Sequence, residues 1–161
     1  ISIALAQGSD ILLGVVLDVM ASNCYFSFKG GHSYCNDKQI SVSKKLLFKD
    51  SFSGTGFSVK DNSRLSKNIN LLEIVIKETR GVRRLGSAAL DLCFVAKGVF
   101  DFYYETNLSA WDVAAGALIV KNAGGQVSDY KGGDQYLFGD EILASNTKIH
   151  ANTLFLLTKV N

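Results

Sequence analysis

Residues 105–125 read E-T-N-L-S-A-W-D-V-A-A-G-A-L-I-V-K-N-A-G-G, and this stretch contains the strongest structural signals of the sequence. Ser109 and Asp112 have the S-x-x-D spacing of a capping box, which satisfies free amide groups at a helix N-terminus. Apolar residues follow at helical spacing, and Gly124 and Gly125 end the pattern. The stretch therefore predicts a helix that carries Asp112 in its first turn and stops at the glycine pair.

Two acids flank this predicted helix start. Asp112 lies where free backbone N–H groups and the helix dipole favour an ionised carboxylate, which suits it to hold a cation. Glu105 follows the apolar residues 99–104, which are typical of a strand. Each acid also has an ordinary interpretation, because an Asp in the first turn is usually a capping residue and a Glu at a strand end is usually solvated. Spacing alone leaves both interpretations open.

The composition is that of ordinary globular material. The chain has 161 residues, of which 47% are hydrophobic and 20% charged, so it is long enough to form a core. The net charge is +2 without clustered Lys and Arg, which argues against a nucleic-acid-binding surface, and no apolar run approaches the length of a transmembrane helix. Cys24, Cys35 and Cys93 form no C-x-x-C pair, which argues against a disulfide framework and a zinc site. We expect a soluble protein of the reducing cytoplasm.

The first quarter of the chain reads as short strands. Apolar runs at residues 1–6, 11–19 and 24–28, separated by turn residues, predict an antiparallel meander, and residues 38–42 predict a further strand. The chain opens on an apolar strand without an initiator Met, and an exposed strand of that kind is an aggregation hazard. We therefore expect the sequence to be the remainder of a longer protein.

Strands and helices alternate in the rest of the chain. Besides the central helix, the apolar periodicity predicts strands at 47–52, 82–85, 126–130 and 141–145, a turn at 53–57, and helices at 66–77, 86–98 and 147–159. This alternation predicts an α/β fold.

A second candidate site lies at the sequence Leu85-Gly86-Ser87-Ala88. A strand, a glycine and a serine at a helix N-terminus leave backbone N–H groups facing outward, an arrangement that binds anions or hydroxyl groups. The ordinary interpretation is a Ser N-cap, and without other observations it is the better one.

W-D-V-A-A-G-A-L-I-V-K-N-A-G-G resembles the second signature of the inositol monophosphatase family, W-D-x-A-A-G-x-x-[IL]-[VL]-x-x-[AS]-G-G, including the Trp, the Asp and all three glycines. The segment from Arg83 or Arg84 to Cys93 is similar to the family pattern R-x-x-G-[ST]-A-[AS]-x-x-[LM]-C. The resemblance runs from residue 1 to the C-terminus, and it is to the bacterial extragenic-suppressor type. Two departures are Lys121-Asn122, where the family usually has an acid, and Ser58, where it commonly has Pro.

In register, the resemblance implies roles for particular residues. Asp112 would be a Mg²⁺ ligand and Glu105 a contact to a substrate hydroxyl group. Gly86, Ser87 and Ala88 would line the substrate pocket.

The resemblance also implies a fold and a function. The fold would be a layered α/β sugar-phosphatase architecture, in which residues 1–45 end an antiparallel-sheet domain and residues 46–161 form a smaller α/β domain with a mixed sheet. The protein would be a Mg²⁺-dependent, lithium-sensitive hydrolase of a small phosphorylated polyol, with inositol 1-phosphate favoured, and a homodimer away from membranes. Fructose 1,6-bisphosphate and a 3′-phosphonucleotide stay open as substrates, because the W-D-x-A-A-G signature is shared across the superfamily. A non-catalytic role in RNA polymerase and ribosomal RNA processing complexes also stays open, although the composition does not support it.

One part of the family's machinery is absent from the sequence. The first signature, D-P-[IL]-D-G-[ST], supplies acids that bridge two metal ions, and this chain contains no D-x-x-D-G. A single aspartate cannot hold two ions, so no catalytic residue beyond the metal ligand Asp112 is identified. We expect the chain to be the C-terminal portion of such a protein, with a third or more missing. By itself it should bind Mg²⁺ weakly and have negligible phosphatase activity.

Overall fold

The computed structural model describes residues 1–57 and 62–159. The strands are β1 (Ser2–Gln7), β2 (Asp10–Asp18), β3 (Asn23–Phe28), β4 (Ser33–Cys35), β5 (Lys38–Gln39), β6 (Phe52–Thr55), β7 (Gly81–Arg83), β8 (Phe102–Thr106), β9 (Gly125–Ser128) and β10 (Glu141–Asn146). The helices are α1 (Asn62–Glu78), α2 (Ala88–Ala96), α3 (Ala110–Asn122) and α4 (His150–Thr158). The departure Ser58 falls outside the described residues.

The first sheet is an antiparallel meander in the order β1-β2-β3-β4-β5, so the first three predicted strands are confirmed. The predicted strand at residues 38–42 is wrong beyond its first two residues. Ile40 donates its backbone N–H back to Ser33, and Val42 donates to the carbonyl of Ala123 after the end of α3. The amide of Ile40 thus still bonds to β4, and the chain leaves the sheet after it because the amide of Val42 bonds to the end of α3 instead.

Both faces of the first sheet are apolar. Val16 and Tyr25, which are paired across β2 and β3, are buried on the inner face. Ile3, Leu5 and Phe28 lie on the opposite face, and each is more than half exposed. The outer surface of this sheet is therefore richer in exposed apolar side chains than a half-solvated antiparallel sheet usually is.

The second sheet is mixed and has the order β7-β6-β8-β10-β9. Strand β6 is parallel to both of its neighbours, whereas β10 is antiparallel to both β8 and β9. Helices α2 and α3 lie between the two sheets and contact both of them, and α1 and α4 cover the other face of the second sheet. The predicted layered α/β architecture is confirmed.

Helix α3 packs against its neighbours at backbone distance. A Cβ at Gly14 of β2 would lie 2.7 Å from the carbonyl oxygen of Ala115, and a Cβ at Gly116 would lie 2.6 Å from Leu92 of α2. Residues Val113 to Val120 are all buried, as expected for a helix enclosed by two sheets. These contacts fix the position of the helix start that carries Asp112.

The prediction for residues 47–57 is wrong in detail. Residues Phe48–Asp50 form one 3₁₀ turn, and the strand is Phe52–Thr55, where a turn was expected. Gly54 belongs in this strand because a Cβ there would lie 2.7 Å from the Phe100 ring and 3.2 Å from Oδ1 of Asp91. A glycine that signalled a turn is instead required by close packing.

The chain passes from the first sheet to the second between Gln39 and Phe52. The division into domains at residues 1–45 and 46–161 stays a prediction, since one hydrophobic core includes residues of both sheets. No helix in the part of the chain that the structure describes is both long and apolar enough to cross a bilayer.

Candidate functional site

A cleft of about 380 Å³ opens where the N-termini of α2 and α3 meet the ends of β6 and β8. Its lining includes all of the predicted site residues, which are Gly86, Ser87, Ala88, Glu105 and Asp112. These residues come from three separate segments of the chain. The structure therefore brings the two candidate sites of the sequence together into one.

Asp112 occupies the N-terminal turn of α3, and the predicted capping box with Ser109 is confirmed. Oδ2 of Asp112 accepts a hydrogen bond of 2.9 Å from the backbone N–H of Ser109. The helix ends at Asn122, and Gly124 follows with a φ of 85°, the left-handed conformation that favours glycine after a helix. The cap holds the carboxylate at the cleft wall while using only one of its oxygens.

The Gly-Ser-Ala segment forms the opposite wall. Helix α2 begins at Ala88 rather than at residue 86, and Ser87 is its N-cap in extended conformation. Gly86 has a φ of 86°, which a residue with a side chain rarely adopts. This glycine turns the chain so that the first amide groups of α2 lie beside the cleft, where a helix N-terminus favours an anion.

Glu105 lies at the end of β8 and is partly buried. Its Oε2 accepts a short hydrogen bond from the hydroxyl group of Tyr103, two residues earlier on the same face of the strand. Burial raises the pKa of the Glu105 carboxyl group, the Tyr103 hydrogen bond and the charge of Arg84 oppose the rise, and the nearby charge of Asp112 adds to it. The two predicted acids are therefore close enough to interact electrostatically.

Several residues of the cleft were not assigned to a site by sequence reasoning, among them Gly56, Arg84 and Trp111. Arg84 is exposed, and its guanidinium group lies 4.8 Å from the centroid of the Phe57 ring. Gly56 is buried against the carboxylate of Glu105. Arg84 and Trp111 stood inside the two family patterns and could have been found there, whereas Gly56 follows a strand that was predicted as a turn.

Asp91 is a further acid that the sequence analysis did not single out. It lies on α2, is fully buried, and neither carboxyl oxygen has a hydrogen-bond partner in the described part of the chain. Burial, together with the charge of Glu105, raises the pKa of this carboxyl group to about 7. Its signal in the sequence was an Asp inside the apolar run A-A-L-D-L-C-F-V, a position where a charged residue is rare.

The described residues offer a limited set of metal ligands. None of the described side chains form a group of three or more His, Cys, Asp or Glu that could hold a metal ion. Mg²⁺ keeps several water ligands in proteins and is often held by one or two carboxylates together with substrate phosphate. Asp112, with one carboxylate oxygen outside the cap, fits as one such ligand.

The remaining predicted positions lie elsewhere. Lys121 and Asn122, the departure from the family pattern, are at the C-terminal end of α3, far from its cleft-facing start. Nζ of Lys121 bonds to the hydroxyl of Tyr136, and Asn122 donates to Ser27. Cys93 is fully buried, and all three thiols are free. The departure therefore leaves the cleft unchanged.

This geometry defines a class of site. An acid at one helix N-terminus, free amide groups at another and a partly buried glutamate between them can bind a small anion, a cation and a hydroxyl group side by side. The profile of the Inositol monophosphatase family matches residues 1–160. The chain belongs to the inositol monophosphatase family.

Individual relatives carry two kinds of name. The chain is 39% identical over 158 residues to the "Putative Nus factor SuhB" of Neisseria meningitidis serogroup B, covering 98% of this chain and 60% of that protein. It is 38% identical over 159 residues to the "Inositol-1-monophosphatase" of Mesorhizobium japonicum, covering 99% and 60%. The chain thus spans about 60% of the length of these curated relatives.

Solved structures agree on the fold. The inositol monophosphatase of Anabaena superposes with a TM-score of 0.94 at 34% identity, covering 99% of this chain and 64% of that one. The extragenic suppressor protein suhB of Bartonella henselae superposes with a TM-score of 0.93, also at 34% identity, covering 98% and 60%.

Proposed function

We propose that the protein carrying this chain is a Mg²⁺-dependent phosphomonoesterase that hydrolyses inositol 1-phosphate to inositol and phosphate. The observation that carries the proposal is the convergence of Asp112, Glu105 and the Gly86–Ala88 corner on one cleft. A phosphorylated polyol presents an anion and several hydroxyl groups within a few ångströms of each other. The cleft offers partners for both, and its volume of about 380 Å³ suits a small ligand.

The phosphate end of the substrate belongs between the two helix starts. The first amide groups of α2 would donate hydrogen bonds to phosphate oxygens, and the helix dipole favours the negative charge. Asp112 would hold the metal ion on the leaving-group side, with its carboxylate fixed by the hydrogen bond from Ser109. When bound, Mg²⁺ supplies charge that polarises the phosphoryl group and lowers the pKa of a water molecule.

The polyol end belongs at Glu105. An ionised carboxylate accepts a hydrogen bond from a substrate hydroxyl, and such a bond to a charged group contributes about 1.5–3 kcal/mol. Arg84 supports the ionised form, because its charge lowers the pKa that burial raises. Glu105 would therefore orient the ring without taking part in bond cleavage.

Two substitutions separate these roles in the protein that carries the chain. Glu105→Gln should raise KM or lower kcat for inositol 1-phosphate by roughly ten- to a hundred-fold, because it removes a charged acceptor of a hydroxyl. Its effect on p-nitrophenyl phosphate, which has no matching hydroxyl groups, should be small. Asp112→Asn keeps an oxygen that can cap the helix but removes the ligand charge, so turnover of both substrates should fall together.

The matched control is Glu73→Gln. Glu73 is an exposed acid that pairs with Lys77 on α1, the helix on the other face of the second sheet from α2 and α3. This substitution should leave both substrates unaffected. If Glu105→Gln left the value for inositol 1-phosphate unchanged while Asp112→Asn abolished it, the metal assignment would stand and the substrate assignment would be wrong. Comparison of kcat/KM for inositol 1-phosphate, fructose 1,6-bisphosphate and a 3′-phosphonucleotide would then identify the substrate.

A second function is favoured by the names of relatives. A protein 39% identical to this chain is named a putative Nus factor. The second candidate is the non-catalytic role in RNA polymerase or ribosomal RNA processing complexes that the family resemblance left open. Such a role would survive Asp112→Asn, whereas phosphatase activity would not. We also propose that the intact protein is a homodimer and lies in the cytoplasm. Light scattering of the purified protein would test the dimer, and fractionation of cells would test the location.

A further inference from the structure

The carboxylate of Glu105 occupies a position that is electrostatically unfavourable. Asp112 lies near enough for its charge to act on Glu105, and the charge of Glu105 acts in turn on the buried carboxyl group of Asp91. Like charges at short range repel each other, and burial weakens the screening that water provides. An unrestrained glutamate side chain would therefore swing toward the exposed guanidinium group of Arg84 and away from the other two acids.

Two features restrain it. The hydroxyl group of Tyr103, a fully buried residue, donates a short hydrogen bond to Oε2 of Glu105. Gly56 provides the space, because a Cβ at that residue would overlap all three atoms of the Glu105 carboxylate group. The structure records no other hydrogen bond to this carboxylate within residues 1–57 and 62–159, so Oε1 has no recorded partner there.

We propose that Tyr103 is a positioning residue for the polyol, which holds Oε2 of Glu105 against Gly56 so that Oε1 is presented to a substrate hydroxyl group. This inference rests on the proposed function, and it names the residue that sets the preference for hydroxyl-bearing phosphates. Tyr103 itself is not among the residues that line the cleft. Its influence on the substrate passes through Glu105 alone.

The next residue of the strand supplies a matched control. Tyr104 is also buried in β8 but faces the opposite side of the sheet, and its hydroxyl group has no hydrogen-bond partner in the described part of the chain. Tyr103→Phe and Tyr104→Phe each remove one buried hydroxyl group from the same strand. They differ in whether that hydroxyl group holds Glu105.

Gly56→Ala tests the same geometry from the other side. The atoms that the new methyl group would meet are the far end of a flexible side chain, so the carboxylate can move while the backbone stays in place. This substitution should therefore displace Glu105 without unfolding the protein.

The experiment measures KM and kcat of the protein that carries this chain for inositol 1-phosphate and for p-nitrophenyl phosphate. Tyr103→Phe and Gly56→Ala should each raise KM for inositol 1-phosphate about five- to tenfold, because a hydrogen bond to a charged group is misaligned. Tyr103→Phe should leave kcat unchanged, together with both parameters for p-nitrophenyl phosphate. Tyr104→Phe should match the wild type, and an equal effect of Tyr103→Phe on both substrates would overturn the proposal.

A second readout separates this proposal from the proposed function. The side-chain carboxyl carbon of Glu105, observed by ¹³C NMR, should shift in Tyr103→Phe and Gly56→Ala but not in Tyr104→Phe. If the wild type turns over neither phosphate, the proposed function is wrong, and this signal still decides whether Tyr103 positions Glu105. An unchanged Glu105 signal in Tyr103→Phe would overturn the positioning role even in an active enzyme.

Discussion

The second sheet has a buried polar cluster on each face, and the two clusters differ in how well their groups are bonded. On the α4 face, the ring of His150 lies between two serines, with Nε2 3.0 Å from Ser128 Oγ and Nδ1 2.7 Å from Ser145 Oγ. On the α2 face, Asp91 has no hydrogen-bond partner in the described part of the chain, although Tyr103 bonds to Glu105 nearby. Only the second cluster adjoins the cleft.

This difference in hydrogen bonding indicates different roles for the buried polar groups of the two clusters. A bonded cluster such as that of His150 adds to the specificity of the core at little cost, because each ring nitrogen has a partner. An unpartnered carboxyl group destabilises the folded state, and strained or unsatisfied groups collect at functional sites. We therefore expect substitutions in the two clusters to change stability in opposite directions.

The largest effect should be the opposite sign of two leucine substitutions. His150→Leu removes the hydrogen bonds between the ring and the two serine hydroxyl groups, which still donate to backbone carbonyls, and should lower the free energy of unfolding by about 1–3 kcal/mol. Asp91→Leu replaces an unpaired buried carboxyl group with an apolar side chain and should raise it by about 1–3 kcal/mol at pH 8. Urea unfolding of both variants and the wild type measures these changes. A loss of stability in Asp91→Leu would mean that the carboxyl group has a partner in solution.

The pH dependence of the same variants should be the next largest effect. Burial lowers the pKa of His150 to about 4, so its contribution to stability is present above the ordinary value of 6.5 and is lost as the pH falls toward 4. Burial raises the pKa of Asp91 to about 7, so its contribution is present below the ordinary value of 3.8 and is lost as the pH rises toward 7. In the wild type, the two groups therefore change the free energy of unfolding with pH in opposite directions.

When either group is removed, the pH dependence of the free energy of unfolding should be determined mainly by the other. Between pH 4.5 and 6.5, the deficit of His150→Leu should shrink as the pH falls, and the gain of Asp91→Leu should grow as the pH rises. Each change should be at most about 1.4 kcal/mol per pH unit, which is the limit for one proton. Parallel curves for the wild type and Asp91→Leu would show that Asp91 does not titrate in this range.

The smallest effect should come from an exposed ion pair, which serves as a reference for the two buried clusters. Glu73 and Lys77 form an ion pair of 2.6 Å on the exposed face of α1, and the Lys77 partner lowers the pKa of Glu73. Because both side chains are largely in water, Glu73→Gln should leave the free energy of unfolding close to that of the wild type. A change as large as those of the buried variants would mean that surface charges contribute as much to stability as buried ones. The stability changes could then not be attributed to the hydrogen bonding of the buried clusters.

The fold was predictable where the pattern was local. Ser109, Asp112 and Gly124 encode both ends of α3 within sixteen residues, and the alternating runs of the first sheet encode its strands. Residues 47–57 were not predictable, because glycine serves both turns and close packing, and only tertiary contacts of Gly54 with Phe100 distinguish the two.

The candidate site was predictable only where a family pattern supplied it. Asp112, Glu105 and the Gly86 corner stand in recognisable motifs, and the structure brings them together. The part of Gly56 in the site depends on its distances to the Glu105 carboxylate, far away in sequence, whereas Tyr103 lies two residues before Glu105 on the same strand face and could have been found from the strand period. Sequence spacing contains no information about those distances.

The first sheet has a consequence for the newly made chain. Its hairpins join neighbouring residues, so they can pair as soon as they leave the ribosome, whereas α3, which covers their inner face, is synthesised about 80 residues later. At about 5–20 residues per second, the interval lasts about 4–16 s. During that time Val16 and Tyr25 lack the cover that α3 gives them in the folded structure. A sheet with an uncovered apolar face is a substrate for chaperones, and yield in the cell would then depend on the speed of translation.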